Sequence, residues 1–104
     1  MILVLLFNIT YFMNNKIIPS SAKVVVIGGG VAGTSCAYHL AKFGWKDVIL
    51  LERDQLTSGT TWHAAGLIGQ LGATSTITKL RKYSLDIYKE LEKTTGLSTG
   101  LKQN

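Results

Sequence analysis

The sequence predicts an α/β fold in which a strand, a helix and a second strand are followed by one long helix. Three observations support this prediction: a β-branched run at Lys23–Ile27, glycines directly after it, and a second apolar run at Asp47–Leu51 that ends in Glu52. Short apolar runs bounded by turn residues are typical of strands buried on both faces of a parallel sheet. Two such runs within about 30 residues, joined by a helical segment, form a βαβ unit.

The connection between these strands has the pattern of a helix that packs on the sheet. It is expected to begin at Val31, after the glycines, and to end at Gly44, since glycine readily takes the left-handed conformation that follows a last helical turn. The stripe expected to face the sheet consists of Ala32, Cys36 and Leu40, with Gly33 and Ala37 beside them.

A polar segment separates the second strand from the long helix. Asp54–Gly72 is rich in Gly, Ser and Thr and is predicted to be a loop, with a short helix at Trp62–Ile68. An amphipathic helix is predicted from Ser75 to about Thr94, with Thr74 or Ser75 as its N-cap and Gly96 at its end. Its apolar stripe consists of Ile77, Leu80, Ile87, Tyr88 and Leu91.

The first 21 residues are interpreted as an apolar leader or targeting-like segment. Their apolar part, Met1–Met13, is shorter than the roughly 20 residues that span a bilayer, so no stable membrane insertion is expected. The segment lacks the basic start of a secretory signal and the arginines of a mitochondrial transit peptide. Residues 22–104 are predicted to be the N-terminal part of one domain that remains incomplete within this sequence.

Composition excludes several classes of function. The net charge is +5, but the cationic side chains of the long helix alternate with acidic ones, which is typical of a solvated surface and argues against nucleic-acid binding. The single cysteine excludes an internal disulfide and a Cys-x-x-Cys redox pair, and no metal-ligand cluster is evident.

The glycine-rich turn carries the first functional signal. Gly28, Gly30 and Gly33 have the spacing G-x-G-x-x-G between strand and helix. There, the first glycine allows a tight turn, the second lets a pyrophosphate approach the backbone, and the third lets the helix lie close to the strand. The helix N-terminus directs its amides and dipole toward the phosphates. We therefore predict the start of a doubly wound Rossmann-type domain that binds a dinucleotide.

The end of the second strand narrows the choice of dinucleotide. Glu52 lies 24 residues after Gly28 and is placed to accept hydrogen bonds from the ribose hydroxyls. A carboxylate there disfavours NADP, because it would repel the 2′-phosphate, and the neighbouring Arg53 does not reverse that preference. The fingerprint leaves NAD and FAD both open.

From Lys23 to Asn104, the sequence resembles the sarcosine and dimethylglycine dehydrogenase family of flavoproteins. The matching segments are IGGGVAGTSCAYHLAKFG, LLERDQLTSGTTWHAAGL and KELEKTTGLSTG. It implies that the cofactor is FAD and that the chain begins an FAD-binding domain. It also implies a covalent bond between the flavin 8α-methyl group and His63, the histidine that follows Trp62.

The resemblance assigns further cofactor contacts. Hydroxyl and glycine residues of the loop are expected to line the pyrophosphate and ribityl chain, and Gly66 and Leu67 to bring backbone close to the isoalloxazine ring. The full predicted cofactor set is Gly28, Gly30, Val31, Ala32, Gly33, Glu52, Arg53, Ser58, Gly59, Thr60, Thr61, His63, Gly66 and Leu67. No residue of this chain is assigned as a catalytic acid or base.

By the same resemblance, the parent enzyme would oxidise an N-methylated glycine by hydride transfer to the flavin. Its product would be hydrolysed or trapped by tetrahydrofolate, its electrons would pass to an electron-transfer flavoprotein, and its compartment would be the mitochondrial matrix. Three alternatives remain open. They are a non-catalytic regulatory subunit of pyruvate dehydrogenase phosphatase, which is expected to lack the Trp-His pair, an amino-acid oxidase with noncovalent FAD, and an inactive gene fragment that binds FAD poorly.

Overall fold

The computed structural model describes residues 3–6, 9–11 and 20–103. The other residues of the predicted leader, 1–2, 7–8 and 12–19, and Asn104 lie outside the described residues. The chain divides into two compact units, residues 1–64 and 65–104, which are described separately. The first unit contains strands β1 (Leu3–Leu6), β2 (Ile9–Tyr11), β3 (Val24–Ile27) and β4 (Val48–Glu52) and helix α1 (Val31–Lys42), and the second contains helix α2 (Ser75–Thr95).

The four strands form one sheet in the order β2-β1-β4-β3. Strands β3 and β4 are parallel, with Val24 opposite Val48 and Ile27 opposite Leu51, so the predicted βαβ unit is confirmed. Strand β1 pairs antiparallel with the other side of β4, and β2 pairs antiparallel with β1. Two segments of the predicted leader thus extend the sheet, while their role as a leader stays a prediction.

Burial differs between the two parallel strands. Val48, Ile49 and Leu50 of β4 are buried, as expected for a strand with neighbours on both sides. The expectation that β3 is buried on both faces is wrong for the described residues, because its side chains alternate in burial and Ile27 is 84% exposed. No described strand pairs with the outer side of β3, which therefore forms an edge of the sheet.

Helix α1 packs on the sheet through a different stripe from the predicted one. Ala37 is buried, whereas Cys36, predicted to pack against the sheet, is exposed. The reason lies at Gly33, where a Cβ atom would be 1.8 Å from the carbonyl oxygen of Gly28. The helix touches the glycine turn at this position, so Gly33 and Ala37, one turn apart, face the strands.

The end of α1 agrees with the sequence. Gly44 has a φ of 88°, the left-handed conformation expected of it. Its amide donates to the carbonyl of Ala41, and the amide of Trp45 donates to that of Leu40, which together form a Schellman motif. The last turn of the helix thus has partners for carbonyls that would otherwise lack them.

The long helix α2 has the predicted ends. The Thr74 hydroxyl accepts a hydrogen bond from the Ile77 amide, and Gly96 ends the helix in the left-handed conformation. Its buried residue is Leu85, which was not in the predicted stripe, while Ile77 and Leu80 are exposed. Among the described residues, no helix combines the length and the apolar character needed to cross a membrane.

The short helix predicted at Trp62–Ile68 is not observed. Successive turns instead begin at Gly59, Thr60 and Thr61, whose carbonyls accept the amides of the residues three positions later, and residues 65–69 have no regular secondary structure. Gly66 has a φ of 72°, which is incompatible with a right-handed helix and explains why the turns do not continue.

Replacement of Gly33 tests the close approach of α1 to the glycine turn. Gly33→Ala is expected to lower the free energy of unfolding by about 3 kcal/mol, because the new methyl group meets backbone that can move only with the strand. Gly59→Ala is the control, since a Cβ there meets nothing within 4 Å. Urea unfolding that shows equal stabilities for the two variants would contradict the packing described here.

Candidate functional site

The glycine turn between β3 and α1 forms the centre of the candidate site. Gly28 has a φ of 100°, and its amide donates to the carbonyl of Leu51 at 2.8 Å, which ties the turn to the end of β4. The first hydrogen bond of α1 runs from the Thr34 amide to the Gly30 carbonyl at 2.9 Å. The amides of Val31, Ala32 and Gly33 therefore precede the helical ladder, and the positive end of the helix dipole lies among them.

The carboxylate of Glu52 is held against this turn by backbone amides. Its Oε2 atom accepts the Gly29 amide at 2.6 Å, and its Oε1 atom accepts the Asp54 amide at 3.0 Å. The bond from Gly29 lowers the pKa of Glu52 most, followed by the bond from Asp54, with a smaller contribution from the charge of Arg53. Glu52 is thus ionised, oriented and left with lone pairs that can accept further hydrogen bonds.

The loop after β4 folds back over the glycine turn. The Thr57 amide donates to the Gly29 carbonyl at 2.9 Å, and the Thr61 hydroxyl accepts the Val31 amide at the same distance. Thr57 has a φ of 65°, a strained conformation for a β-branched residue. Strain of this kind persists only where the surrounding contacts impose it, and here the bond to Gly29 is one such contact.

His63 lies within the turn that begins at Thr61. Its Nδ1 atom is 3.0 Å from the Gly59 carbonyl oxygen. Because a carbonyl only accepts, Nδ1 carries the proton, and the lone pair of the neutral ring is then on Nε2. The ring is exposed, and the preceding Trp62 is 78% exposed, so both side chains are available to a ligand.

The other predicted residues divide between the two units. Arg53, Gly59 and Thr60 are exposed in the first unit, where the Ser58 hydroxyl donates to the Gln55 carbonyl at 2.8 Å. Gly66 and Leu67 are exposed in the second unit. The first unit thus brings the glycine turn, Glu52 and the Ser58–His63 loop together.

Two residues of this cluster were missed by the sequence argument. A Cβ on Gly29 would lie 2.6 Å from the Leu56 side chain and 3.0 Å from the Glu52 carboxylate, so both side chains would have to shift to admit it. The run of three glycines was a usable signal for it. Nothing in the sequence around Thr57 indicates that this residue has a positive φ.

The chemistry of this cluster fits a dinucleotide. Helix amides with no carbonyl partner of their own suit a pyrophosphate, and the carboxylate of Glu52 suits ribose hydroxyls. A side chain at Gly30 would place its Cβ 2.9 Å from the Thr61 hydroxyl, so glycine there lets this hydroxyl approach the start of the helix.

A family model for FAD-dependent oxidoreductases matches residues 23–104, which include most of the first unit and all of the second. The chain belongs to this family. Since members use FAD, the choice that the glycine fingerprint left open is decided in favour of the flavin cofactor. No solved structure matches the chain.

Three relatives illustrate the range of the family. The chain is 51% identical over 88 residues to the mitochondrial sarcosine dehydrogenase of Homo sapiens, covering 84% of this chain and 10% of the relative. It is 48% identical over 86 residues to a formaldehyde-forming 4-methylaminobutanoate oxidase of Paenarthrobacter nicotinovorans, covering 83% and 10%. It is 45% identical over 83 residues to the mitochondrial pyruvate dehydrogenase phosphatase regulatory subunit of Mus musculus, covering 80% and 10%.

The matches confirm the resemblance drawn from the sequence, since a human dimethylglycine dehydrogenase is also 49% identical over 82 residues. The chain spans about a tenth of the length of these relatives. What the comparisons establish is therefore the family and its flavin cofactor, while the substrate and the mode of attachment are proposals.

The lowered pKa of Glu52 predicts a pH dependence of stability. A carboxyl group whose pKa is lower in the folded chain stabilises it above the unfolded value, near 4.5, and this contribution disappears as the pH falls through the folded pKa. Glu52→Gln is therefore expected to lower the melting temperature at neutral pH, with a gap to the unmodified protein that closes in acid. Asp86→Asn removes an exposed charge of α2 as the control. A gap that stays constant across the pH range would contradict this account.

The Thr61 hydroxyl predicts a second, local effect. Thr61→Val keeps the shape of the side chain but removes the acceptor of the Val31 amide. We expect the free energy of unfolding to fall by about 1 kcal/mol, the usual value of a helix N-cap. Thr60→Val makes the same chemical change on an exposed neighbour and is expected to have little effect in the same urea titration. Equal losses in both variants would show that the hydroxyl of Thr61 does not cap α1.

Proposed function

We propose that this chain is the FAD-binding segment of an enzyme that oxidises a small N-methylated amino acid, with the flavin attached covalently to His63. The observation that carries the proposal is the position and tautomer of this histidine. His63 comes at the end of the loop that covers the glycine turn. Because its Nδ1 donates a hydrogen bond to the Gly59 carbonyl, the lone pair of the ring is on Nε2.

A neutral imidazole nitrogen with a lone pair is a competent nucleophile near neutral pH. In the proposed attachment, Nε2 of His63 would hold the flavin through a bond that replaces one C–H bond of the 8α-methyl group. The exchange would release two protons, one from the methyl group and one from Nδ1, and two electrons, which an external oxidant such as dioxygen would accept. The carbonyl of Gly59 holds the ring in the reactive tautomer and orientation.

The proposed roles of the other residues follow from their chemistry. The amides of Ala32 and Gly33 would hold the pyrophosphate, and Glu52 the ribose hydroxyls. Ser58, Thr60 and other hydroxyl and glycine residues of the loop would line the ribityl chain. Gly66 and Leu67 are proposed to lie near the isoalloxazine ring.

The substrate class is inferred from the relatives. Sarcosine dehydrogenase, dimethylglycine dehydrogenase and 4-methylaminobutanoate oxidase are named for N-methylated amino acids. When bound, the flavin supplies the acceptor for the hydride of the N-methyl carbon. An electron-transfer flavoprotein as electron acceptor and tetrahydrofolate as acceptor of the one-carbon group belong to the proposal for the whole protein. The mitochondrial matrix is the proposed compartment, supported by the mitochondrial relatives.

A regulatory role is the second candidate function. It is favoured by the 45% identity to a pyruvate dehydrogenase phosphatase regulatory subunit. The exposed Trp62-His63 pair argues for the enzyme instead, because a chain that only regulates has no need of an oriented nucleophile at the cofactor loop.

Acid precipitation of the full-length gene product tests the covalent attachment. The flavin is expected to stay with the precipitated protein and to be lost from it in His63→Ala. The control is His39→Ala, which removes the other of the two histidines in the sequence, from helix α1 rather than from the loop. His39→Ala is expected to keep the covalent flavin.

The other outcomes identify the alternatives. Yellow colour released into the acid supernatant would contradict covalent attachment and favour a noncovalent amino-acid oxidase. A protein that contains no flavin before precipitation would contradict the proposed function and favour the regulatory role. Covalent flavin that survives in His63→Ala would place the attachment on another residue.

A further inference from the structure

The second unit contains a cavity of about 440 Å³, and one of its lining residues, Leu67, is also proposed to lie near the isoalloxazine ring. Its walls come from the segment before α2 and from one face of α2. The lining residues are Leu67, Ile68, Gly69, Arg81, Ser84 and Tyr88. The cavity is open to solvent, since Leu67 is 91% and Ile68 38% exposed, and it combines these two apolar side chains with a cation and two hydroxyl residues.

The guanidinium group of Arg81 is fixed in place at this cavity. Its Nη1 atom donates a hydrogen bond to the Leu71 carbonyl, and it lies beside Gly69, where an added Cβ would be 3.8 Å from it. That bond uses one of five donors, and no other hydrogen bond engages the guanidinium among the described residues. A donor group already anchored at one corner loses little rotamer freedom when it binds a ligand.

The charge of Arg81 is not balanced by an acidic residue in the cavity wall. Arg81, Ser84 and Tyr88 share one face of α2, within about 60° of one another around the helix axis. Asp86 and Glu90, the acidic residues nearest to them in sequence, lie roughly 140° and 180° from Arg81 and do not line the cavity. The wall is therefore electropositive.

We propose that this cavity binds the carboxylate of the amino-acid substrate, with Arg81 as its ionic partner. The planar guanidinium matches a carboxylate in a two-point hydrogen-bonded pair, and Leu67 and Ile68 offer apolar surface to the N-methyl and methylene groups. Arg81 is then a residue that binds the substrate. The identity of the ligand rests on the proposed function, whereas the affinity of the cavity for a carboxylate does not.

A carboxylate fits this cavity better than a phosphate. Arg81 is the one cation in the wall formed by the described residues, and the exposed Lys79 and Lys82 do not line it. A single fork neutralises a monoanion of carboxylate shape, while a phosphate dianion would leave charge and acceptor oxygens without partners.

The test measures the dissociation constant of dimethylglycine for the full-length gene product by calorimetry, which needs no turnover. Arg81→Gln is expected to weaken binding by roughly 10- to 100-fold, the usual effect of losing a hydrogen bond to a charged group. Lys79→Gln removes the same charge two residues away and is expected to leave binding unchanged. N,N-dimethylglycinamide, which lacks the carboxylate, is expected to bind weakly and equally to all variants.

Arg81→Lys keeps the test valid if Arg81→Gln does not fold. It retains the charge without the planar fork, so an intermediate affinity for dimethylglycine is expected. Equal affinities in Arg81→Lys and the unmodified protein, or equal losses in Lys79→Gln and Arg81→Gln, would overturn the proposal. Inorganic phosphate that displaces dimethylglycine more effectively than acetate does would also overturn it.

The result is distinguishable from failure of the proposed function. A gene product that contains no flavin but binds dimethylglycine through Arg81 would support the cavity assignment and contradict the proposed enzyme. A protein with covalent flavin that binds dimethylglycine independently of Arg81 would support the enzyme and overturn the cavity assignment.

Discussion

The contact between Gly33 and the carbonyl oxygen of Gly28 determines how helix α1 leaves the glycine turn. With only hydrogen at this position, the helix axis approaches the end of β3 closely enough that any side chain would overlap backbone. That contact sets the rotation of α1, which buries Ala37 and exposes Cys36. It also places the first helix amides at the carboxyl ends of β3 and β4, where parallel sheets with α/β topology bind ligands.

The electrostatics of the site depend on that placement. The positive end of α1 and the amides of the turn attract anionic groups, and two of those amides are already satisfied by side chains of the chain itself, Glu52 for Gly29 and Thr61 for Val31. Both acceptors sit at the start of the helix, where negative and polar oxygen atoms are favourable. The hydrogen bond from the Gly29 amide lowers the pKa of Glu52 most, and the neighbouring amides of Ala32 and Gly33 would act on a bound pyrophosphate. The turn is therefore organised for negative charge whether or not a cofactor is present.

The backbone pattern of the chain was accessible from its sequence, and the side-chain contacts were accessible only in part. The βαβ unit, the ends of α1 and α2, and the roles of Gly28, Gly33 and Gly44 in the turns followed from glycine spacing and apolar periodicity. The face of α1 that packs could not be derived, since Ala32, Gly33, Cys36 and Ala37 are all small enough for either stripe and only the contact at Gly33 decides between them. Leu85 was missed for a related reason: its burial depends on tertiary contacts that periodicity alone does not report. The strained Thr57 has no sequence signature, because its conformation is imposed by the bond to Gly29.

The two proposed sites use different hydrogen-bond donors. Neutral amides and hydroxyls would bind the cofactor in the first unit, and the guanidinium of Arg81 would bind the substrate in the second. In the first unit, neutral amides and hydroxyls surround an ionised Glu52, which suits ribose hydroxyls and phosphates held by a helix. In the second unit, the guanidinium of Arg81 lies in a cavity wall without an acidic residue among those that line it. A small amino acid therefore has in Arg81 a cationic partner for its carboxylate in the second unit. His63 and Arg81, the residues proposed to hold the flavin and the substrate carboxylate, lie in different units and can be tested by separate substitutions.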